Sequence, residues 1–513
     1  MLSLSKHCLK LSGNIMLHIL NVAWFTFFQA TCSTLMALII GLPAAFFCSR
    51  RRFPGRKILL SLSVVPFCVP SIIIALGYVT FLGLNGGLNQ FLMFIFGLKE
   101  PPVKILYSFV GLIIAHGFYN FPLIMKTVAD SWSRVPSEPA ESARLLGAGE
   151  GRIFRTVTIF QLLPSIASSC MLVFIYCFLS FILVLLFGGI GNSTLEVEIY
   201  KAARATLDFS LVGRLAIVET LILAVVTSFY CILEQKSGRV KGLGSDVKNQ
   251  PCKLQGFGEW LGFSIVIVLI IAFFVAPLAG IVVNAFTTAK AGTGFTLKTF
   301  IRVVKMRSFW PSVRSTVSTA ACTGAFCTVL GFLYSVMMKF QESKVKGRGN
   351  LILNILPMLP MSISSVVVGV VITLIVRRGN VLCLVIAQTA LTWPLAFRQI
   401  YPQMTKISSD TMDSALMLSR GRFDTILRVL LPISSRGLLS AFGFCFAVSA
   451  GDTTLPLVLA IPKYDALSLF TYRLAGAYRF NEACACGVIL GLLCALMFAL
   501  SGGNKWHISK RKI

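Results

Sequence analysis

Few side chains in this sequence have the types and spacing for chemistry. Four histidines, His7, His18, His116 and His507, stand far apart, so none shares the short spacing of a metal site or of a nucleophile with its base. Most of the fifteen cysteines lie in apolar runs, where a thiol packs as a small apolar group. Cys484 and Cys486 have no histidine or second pair beside them. GAGEGR (147–152) is glycine-rich but lacks the Lys-Ser/Thr end of a phosphate loop and a preceding strand. What remains is charge at a helix start: Glu141 in ESARLLGAG (141–149) and Asp413 in DSALMLSRG (413–421), each expected in a first turn, where a carboxylate favours the helix dipole and can meet a basic partner. Each stretch follows a candidate cap, Ser137 or Ser409, and runs about ten residues to a break at Gly147 or beside Gly421. A second short helix follows each, EGRIFRTVTIF (150–160) and RFDTILRVLLP (422–432). Helices this short are marginal in water and need a surface to pack on, and Ala143 and Ala415 keep one face small for close approach. The expectation is a docking element present twice; the alternative is a helix hairpin lying on the membrane.

The elements that position these stretches are set by hydropathy. With 513 residues, 56% apolar and 13% charged, and a mean hydropathy of +0.82, the chain lies outside the range of soluble domains. About twenty apolar residues cross the hydrocarbon as helix, which gives eleven spans near 18–48, 58–83, 105–129, 160–187, 211–233, 260–287, 311–338, 351–376, 381–400, 432–460 and 484–502. Continuous apolar runs exclude a barrel, whose strands alternate. The fold class is an all-α polytopic membrane protein. The excess of 47 Lys+Arg over 19 Asp+Glu follows topology rather than nucleic acid. Segments 49–57, 130–160, 234–258, 339–350, 401–431 and 503–513 hold 26 of the 47 basic residues and are assigned to the cytoplasm. Segment 288–310 runs against this, with five basic residues on the outer side. The N-terminus has no convincing signal peptide.

The chain also repeats itself. IAHGFYNFPLIMKTVADSWSRVPSEPAESARLLGAG (114–149) matches IAQTALTWPLAFRQIYPQMTKISSDTMDSALMLSRG (386–421) at one gapless offset. Ile114, Ala115, Pro122, Leu123 and Gly149 pair with Ile386, Ala387, Pro394, Leu395 and Gly421. Both copies fall on one side, so the halves are parallel repeats: 1–233 with about five spans, a cytoplasmic linker at 234–258, and 259–513 with six.

These residues resemble the loop of bacterial ABC-importer permeases that reads Glu-Ala-Ala, three residues, Gly, then nine before Ile-x-Leu-Pro. Glu141, Ser142, Ala143 and Gly147 fall on its leading positions in the first half, where Phe160 replaces the proline and Leu163-Pro164 follows. In the second, Asp413, Ser414 and Ala415 match conservatively, Ser419 replaces the glycine, and Val429, Leu431 and Pro432 fall on the closing positions. The resemblance covers nearly the whole chain in the fused-halves form. It is nearest to thiamine-importer permeases through VAWFTFFQA (22–30) and RRRFPGR (50–56), and next to iron(III)-importer permeases, with which LFGGIGNSTLEVEIY (186–200) is shared. That family usually has twelve spans, and the first half here is expected to lack its leading one. The resemblance implies a bacterial inner-membrane permease that is not itself an enzyme. It also implies two copies of a cytoplasmic ABC ATPase carrying the ATP and Mg, no cofactor in this chain, and a periplasmic or lipid-anchored solute-binding protein.

A polar route through the spans calls for broken backbone and a few polar groups. Pro70 and Ser71, Ser362 and Ser364, Asn120 and Trp393 beside Pro122 and Pro394, and Asp452 are the candidates, with helix capping the alternative for Asp452. Gly188, Gly189 and Gly191 are expected to shape an external turn. The boundary charges Lys126, Arg214, Glu219, Arg314, Arg398 and Arg436 are expected to snorkel. No Asp/Glu/His relay is evident, which weighs against a secondary transporter built from parallel repeats.

Overall fold

A computed structural model of the chain describes residues 2–64, 69–188, 193–243, 252–254, 256–287, 295–341, 353, 356–376 and 379–500. Gly189, Gly191, the tail 503–513 and most of the basic segment 339–350 lie outside the described residues. Ten helices there are long and apolar enough to cross a membrane, and the bent pair Leu356–Ser362 and Ser365–Val376, meeting at 83°, makes up to eleven. The only strands among the described residues are two-residue segments, Arg51–Arg52 paired in parallel with Cys252–Lys253.

One span differs from expectation. In place of a helix over 58–83 there is a short helix Arg56–Ser61, and the apolar span runs from Ser71 to Phe96. Pro70 has no amide to donate and disfavours helix in the residue before it, so the helix restarts at Ser71. The linker expected at 234–258 begins as a continuation of helix Phe209–Leu243.

The repeat seen in the sequence is carried by the backbone. Helix Phe109–Trp132 corresponds to Val381–Met404, 272 residues on. Ser108 caps the first through the amide of Gly111, and Asn380 caps the second through that of Cys383, at the same offset. Helices Glu150–Ile153 and Arg422–Thr425, the π turns Phe154–Thr158 and Ile426–Leu430, and helices Ile182–Phe187 and Thr454–Leu459 keep that register.

The chain forms two compact units, one of residues 1–66 with 74–281 and the other of 67–73 with 282–513. The first unit therefore includes most of the span Gly256–Ala285. Its aromatic rings wall that unit: Phe263 packs on Phe47 at 5.3 Å, Phe273 stacks on Phe118 at 4.9 Å, and Phe274 meets Phe121 at 5.6 Å. Arg51 Nε donates to Glu259 at 2.9 Å.

Inside each unit the spans are tied by buried polar groups at matching places. Thr26 Oγ1 accepts from the Leu195 amide at 2.9 Å, as Thr316 Oγ1 does from the Leu467 amide at 2.7 Å. Gln29 Nε2 donates to His116 Nδ1 at 2.7 Å, and His116 Nε2 meets Ser180 Oγ at 2.7 Å. At the equivalent place in the second unit Gln388 accepts from Thr323 at 3.2 Å and donates to Asp452 at 3.0 Å. A polar side chain in hydrocarbon is held by such partners. Glu219 does not snorkel: it is wholly buried, ten residues into its helix.

Candidate functional site

The two short helices form the same device by different local chemistry. The first, Glu138–Leu145, carries Glu138 and Glu141 in its first turn, and Ser137 stands at its cap position without a side-chain bond. It ends in a reversal in which the Ala148 amide donates to Ala143 O at 3.0 Å and the Gly147 amide to Arg144 O at 2.9 Å. This pair of bonds is the Schellman arrangement, which needs a left-handed residue. Gly147 supplies it at φ +81°, a conformation that costs a side chain about 1–2 kcal/mol. Arg144 then grips Glu150 across the turn, Nε to Oε1 at 2.5 Å and Nη2 to Oε2 at 3.1 Å.

The second helix, Ser409–Leu418, is capped by Ser408, whose Oγ accepts from the Thr411 amide. The cap thus lies one residue before the expected Ser409. The acidic residue of its first turn is Asp410, not Asp413, because the helix starts one residue earlier than its counterpart. With Ser419 in place of the glycine, the chain leaves the helix in an extended conformation at φ −92°, ψ 156°. The Ser419 hydroxyl meets Thr425 Oγ1 at 2.6 Å, and the positive φ moves to Gly421. Across this turn the Arg420 amide donates to Asp424 Oδ2 at 3.2 Å, while Arg428 pairs with Asp424 along the following helix at 2.6 Å.

Both helices are seated by one inward residue at the same register, Ala140 in the first and Met412 in the second, each buried. Under the first, Trp132 stacks on Phe154 at 5.9 Å. Met412 joins a core with Ile400, Met404, Ile407 and Leu430. Glu141, Ser142, Asp413 and Ser414 are exposed, with Ala143 and Ala415 half-buried beside them. Pro432 stands just after the π turn Ile426–Leu430, inside the continuous span Arg422–Gly451.

The outstanding feature is at the tips. Leu145 and Leu146 are 90% and 89% exposed, and Met417 and Leu418, at the equivalent positions, 89% and 90%. These are two bare apolar pairs, one on each seated helix, of the kind that marks a candidate contact surface. The sequence reading did not single them out; the signal was the repeat offset applied to apolar rather than acidic residues.

Residues 37–239 match the family described as binding-protein-dependent transport system inner membrane component. Over 507 residues the chain is 26% identical to the thiamine transport system permease protein ThiP of Brucella abortus (strain 2308), covering 96% of this chain and 88% of that one. The chain is similar to permeases of this kind over nearly its whole length. The Escherichia coli (strain K12) ThiP is 23% identical over 94% of this chain and 88% of its own length. The putative 2-aminoethylphosphonate transport system permease protein PhnU of Salmonella typhi is 26% identical over 46% of this chain and 77% of its own length. The permease is a multi-pass protein of the bacterial cytoplasmic membrane and a transport subunit by role, and permeases of this kind work with an ATPase and a solute-binding protein.

The candidate pathway residues are divided between the two units. Asn120 belongs to the first unit and donates to His116 O at 3.0 Å. The others belong to the second. Trp393 packs edge-on to Tyr334 at 5.5 Å, and Ser364 Oγ accepts from the Val366 amide at 3.1 Å. Ser362 is buried, with no hydrogen-bond partner for its hydroxyl among the described residues. The ring of Pro70 lies against Gly451, next to Asp452, and Ser71 opens the helix that follows.

Asp452 is bound on both oxygens. Oδ1 accepts from the amides of Thr454 at 2.9 Å and Leu455 at 3.3 Å, capping helix Thr454–Leu459, and Oδ2 accepts from Gln388. Gln388, which sequence reasoning missed, also accepts from Ser449 at 2.6 Å; its signal was its place 272 residues after His116. Asp452→Ala is therefore expected to lower stability by about 2–3 kcal/mol, through the lost cap and the stranded Gln388 donor. Thermal unfolding in detergent checks this, and an unchanged midpoint would deny the carboxylate its capping role.

Proposed function

We propose that the permease is the pathway and transmission subunit of an ATP-driven importer of thiamine or its phosphates. Two copies of a cytoplasmic ABC ATPase, which bind ATP and Mg, sit on helices Glu138–Leu145 and Ser409–Leu418, and a solute-binding protein presents the cargo at the opposite face. The observation that carries this is the pair of exposed apolar tips, one per half at the same register, each on an anchored helix.

Around each tip, Glu141, Ser142 and Ala143, or Asp413, Ser414 and Ala415, form the polar and small-residue collar that meets the ATPase. Gly147 and Ser419 set the angle at which the tip is offered, and Pro432 lies in the span that carries its movement into the membrane. The charges of Arg50 and Arg51 reach Glu150, so a basic segment assigned to the cytoplasm lies at the same end as the first tip. Helix closure driven by ATP draws the seated helices and their spans along, which is a way to switch access without chemistry in this chain. Thiamine as cargo rests on likeness to the ThiP proteins along nearly the whole chain.

The test is uptake by proteoliposomes holding the permease with its ATPase and binding protein. ATP-dependent accumulation of labelled thiamine is the expected result. Accumulation of iron(III) instead would replace the cargo, and uptake driven by a proton gradient without the ATPase would overturn the coupling.

A further inference from the structure

Helix Lys298–Val304 stands just before the span Phe309–Gln341 and turns Thr299 and Val303 inward. Three rows run along it at helical spacing. Thr299 and Val303 form the buried row. Lys298, Arg302 and Lys305 follow one another at four and three residues on one flank. Ile301 and Val304 lie on the other flank, with Ile301 exposed, as are Leu297 before the helix and Trp310 after it. Arg302 is held by Glu482 at 2.9 Å, and Arg479 also reaches Glu482, at 3.4 Å. Lys298, Lys305 and Arg307 are exposed and have no acidic partner among the described residues.

The helix lies at the end of the second unit away from the ATPase tip. Near its far end helix Phe309–Gln341 places Lys339 Nζ on Ile407 O at 2.8 Å and Phe340 under Arg422 at 6.0 Å, beside the tip. Thirty-three helical residues, about 50 Å, separate that end from Phe309. A cationic flank next to an exposed apolar flank, along a helix docked on the protein by its third face, fits a bilayer boundary: apolar side chains at acyl depth, ammonium and guanidinium groups among phosphates. Charge on the outer side of a permease, which opposes the usual distribution, is then kept at the headgroups.

We propose that Lys298, Lys305 and Arg307 form a binding site for the phosphate headgroup of an anionic phospholipid in the outer leaflet. The leaflet, though not the site, rests on the ATPase facing the tips. The site fixes the entry of helix Phe309–Gln341 against the membrane plane.

The experiment is native mass spectrometry of the whole permease, purified in detergent and incubated with phosphatidylglycerol or phosphatidylcholine. Wild type should retain phosphatidylglycerol preferentially. K298Q/K305Q/R307Q should weaken that retention about tenfold or more, since each basic side chain near a lipid surface contributes about a fivefold factor. A control with equal charge removed at Lys99, Lys201 and Lys463 should keep it. Absence of a preference in wild type, or equal loss in the control, overturns the proposal. So does a triple variant that keeps its lipid but no longer binds the solute-binding protein, which would make the surface a protein dock. Failure of thiamine uptake leaves these outcomes unaffected, so the two readings are tested apart.

Discussion

Replacing Leu145, Leu146, Met417 and Leu418 with alanine is expected to abolish ATP-driven uptake while the permease stays folded and in the membrane. All four side chains are at least 89% exposed, so truncating them removes almost nothing from the fold. On docking they would be covered. Burying a leucine or methionine side chain contributes about 1.5–3 kcal/mol, so each truncated pair should forfeit about 3 kcal/mol, about 100-fold in affinity for one ATPase copy. Co-purification of the ATPase measures this for each tip separately. A quadruple variant that retains its ATPase and its uptake would refute the docking role. The loss should reach both tips comparably, since the two pairs are equally bare, although the turns beneath them are built differently.

The second large effect is expected inside the second unit. At Gly331 a Cβ would lie 2.8 Å from the amide of Phe397 and 2.9 Å from the Cβ of Ala396, both fixed atoms. Helix Phe309–Gln341 can approach Val381–Met404 this closely only because nothing projects there, as at many helix crossings in membranes. Gly331→Val should therefore force the pair apart and destabilise the unit by about 3 kcal/mol, read as a lower unfolding temperature and poor recovery from detergent. At the counterpart, Gly41, a Cβ would meet Ile124 Cβ at 3.0 Å and Phe121 O at 3.1 Å, so Gly41→Val should cost less. Equal stability of wild type and Gly331→Val would show that the crossing has slack.

Much of this architecture was legible in the sequence because hydrocarbon imposes strict terms. Ten of the eleven expected spans match apolar helices or the bent pair, and the offset of 272 that aligns Pro122 with Pro394 also aligns two helix caps and two π turns. The departures have local causes. A window of hydropathy sees Ile58 to Gly83 as one run, whereas Pro70 stops the backbone within it. The shift of the cap from Ser409 to Ser408, with Asp410 rather than Asp413 in the first turn, concerns one residue, a distance over which adjacent serines give no preference. Helix capping by Asp452 was one of its two readings from sequence, but Gln388 and Glu219 were opaque for another reason. Whether an ionisable or amide group in a span ends at water, at a partner or in a packed interior is decided by residues far away in the chain, such as Thr323 and Ser449 for Gln388.

The span that walls the first unit also sets a schedule for making it. Phe118 and Phe121 leave the ribosome with helix Phe109–Trp132, but their aromatic neighbours Phe273 and Phe274 follow about 150 residues later, on the order of ten seconds at bacterial rates of synthesis. Until then those rings lack these two aromatic neighbours, and the first unit waits, inserted but unfinished, for a helix made after the linker. A gene cut at the linker would separate that helix from the ring faces it closes over; one cut after residue 281 would keep them in one product.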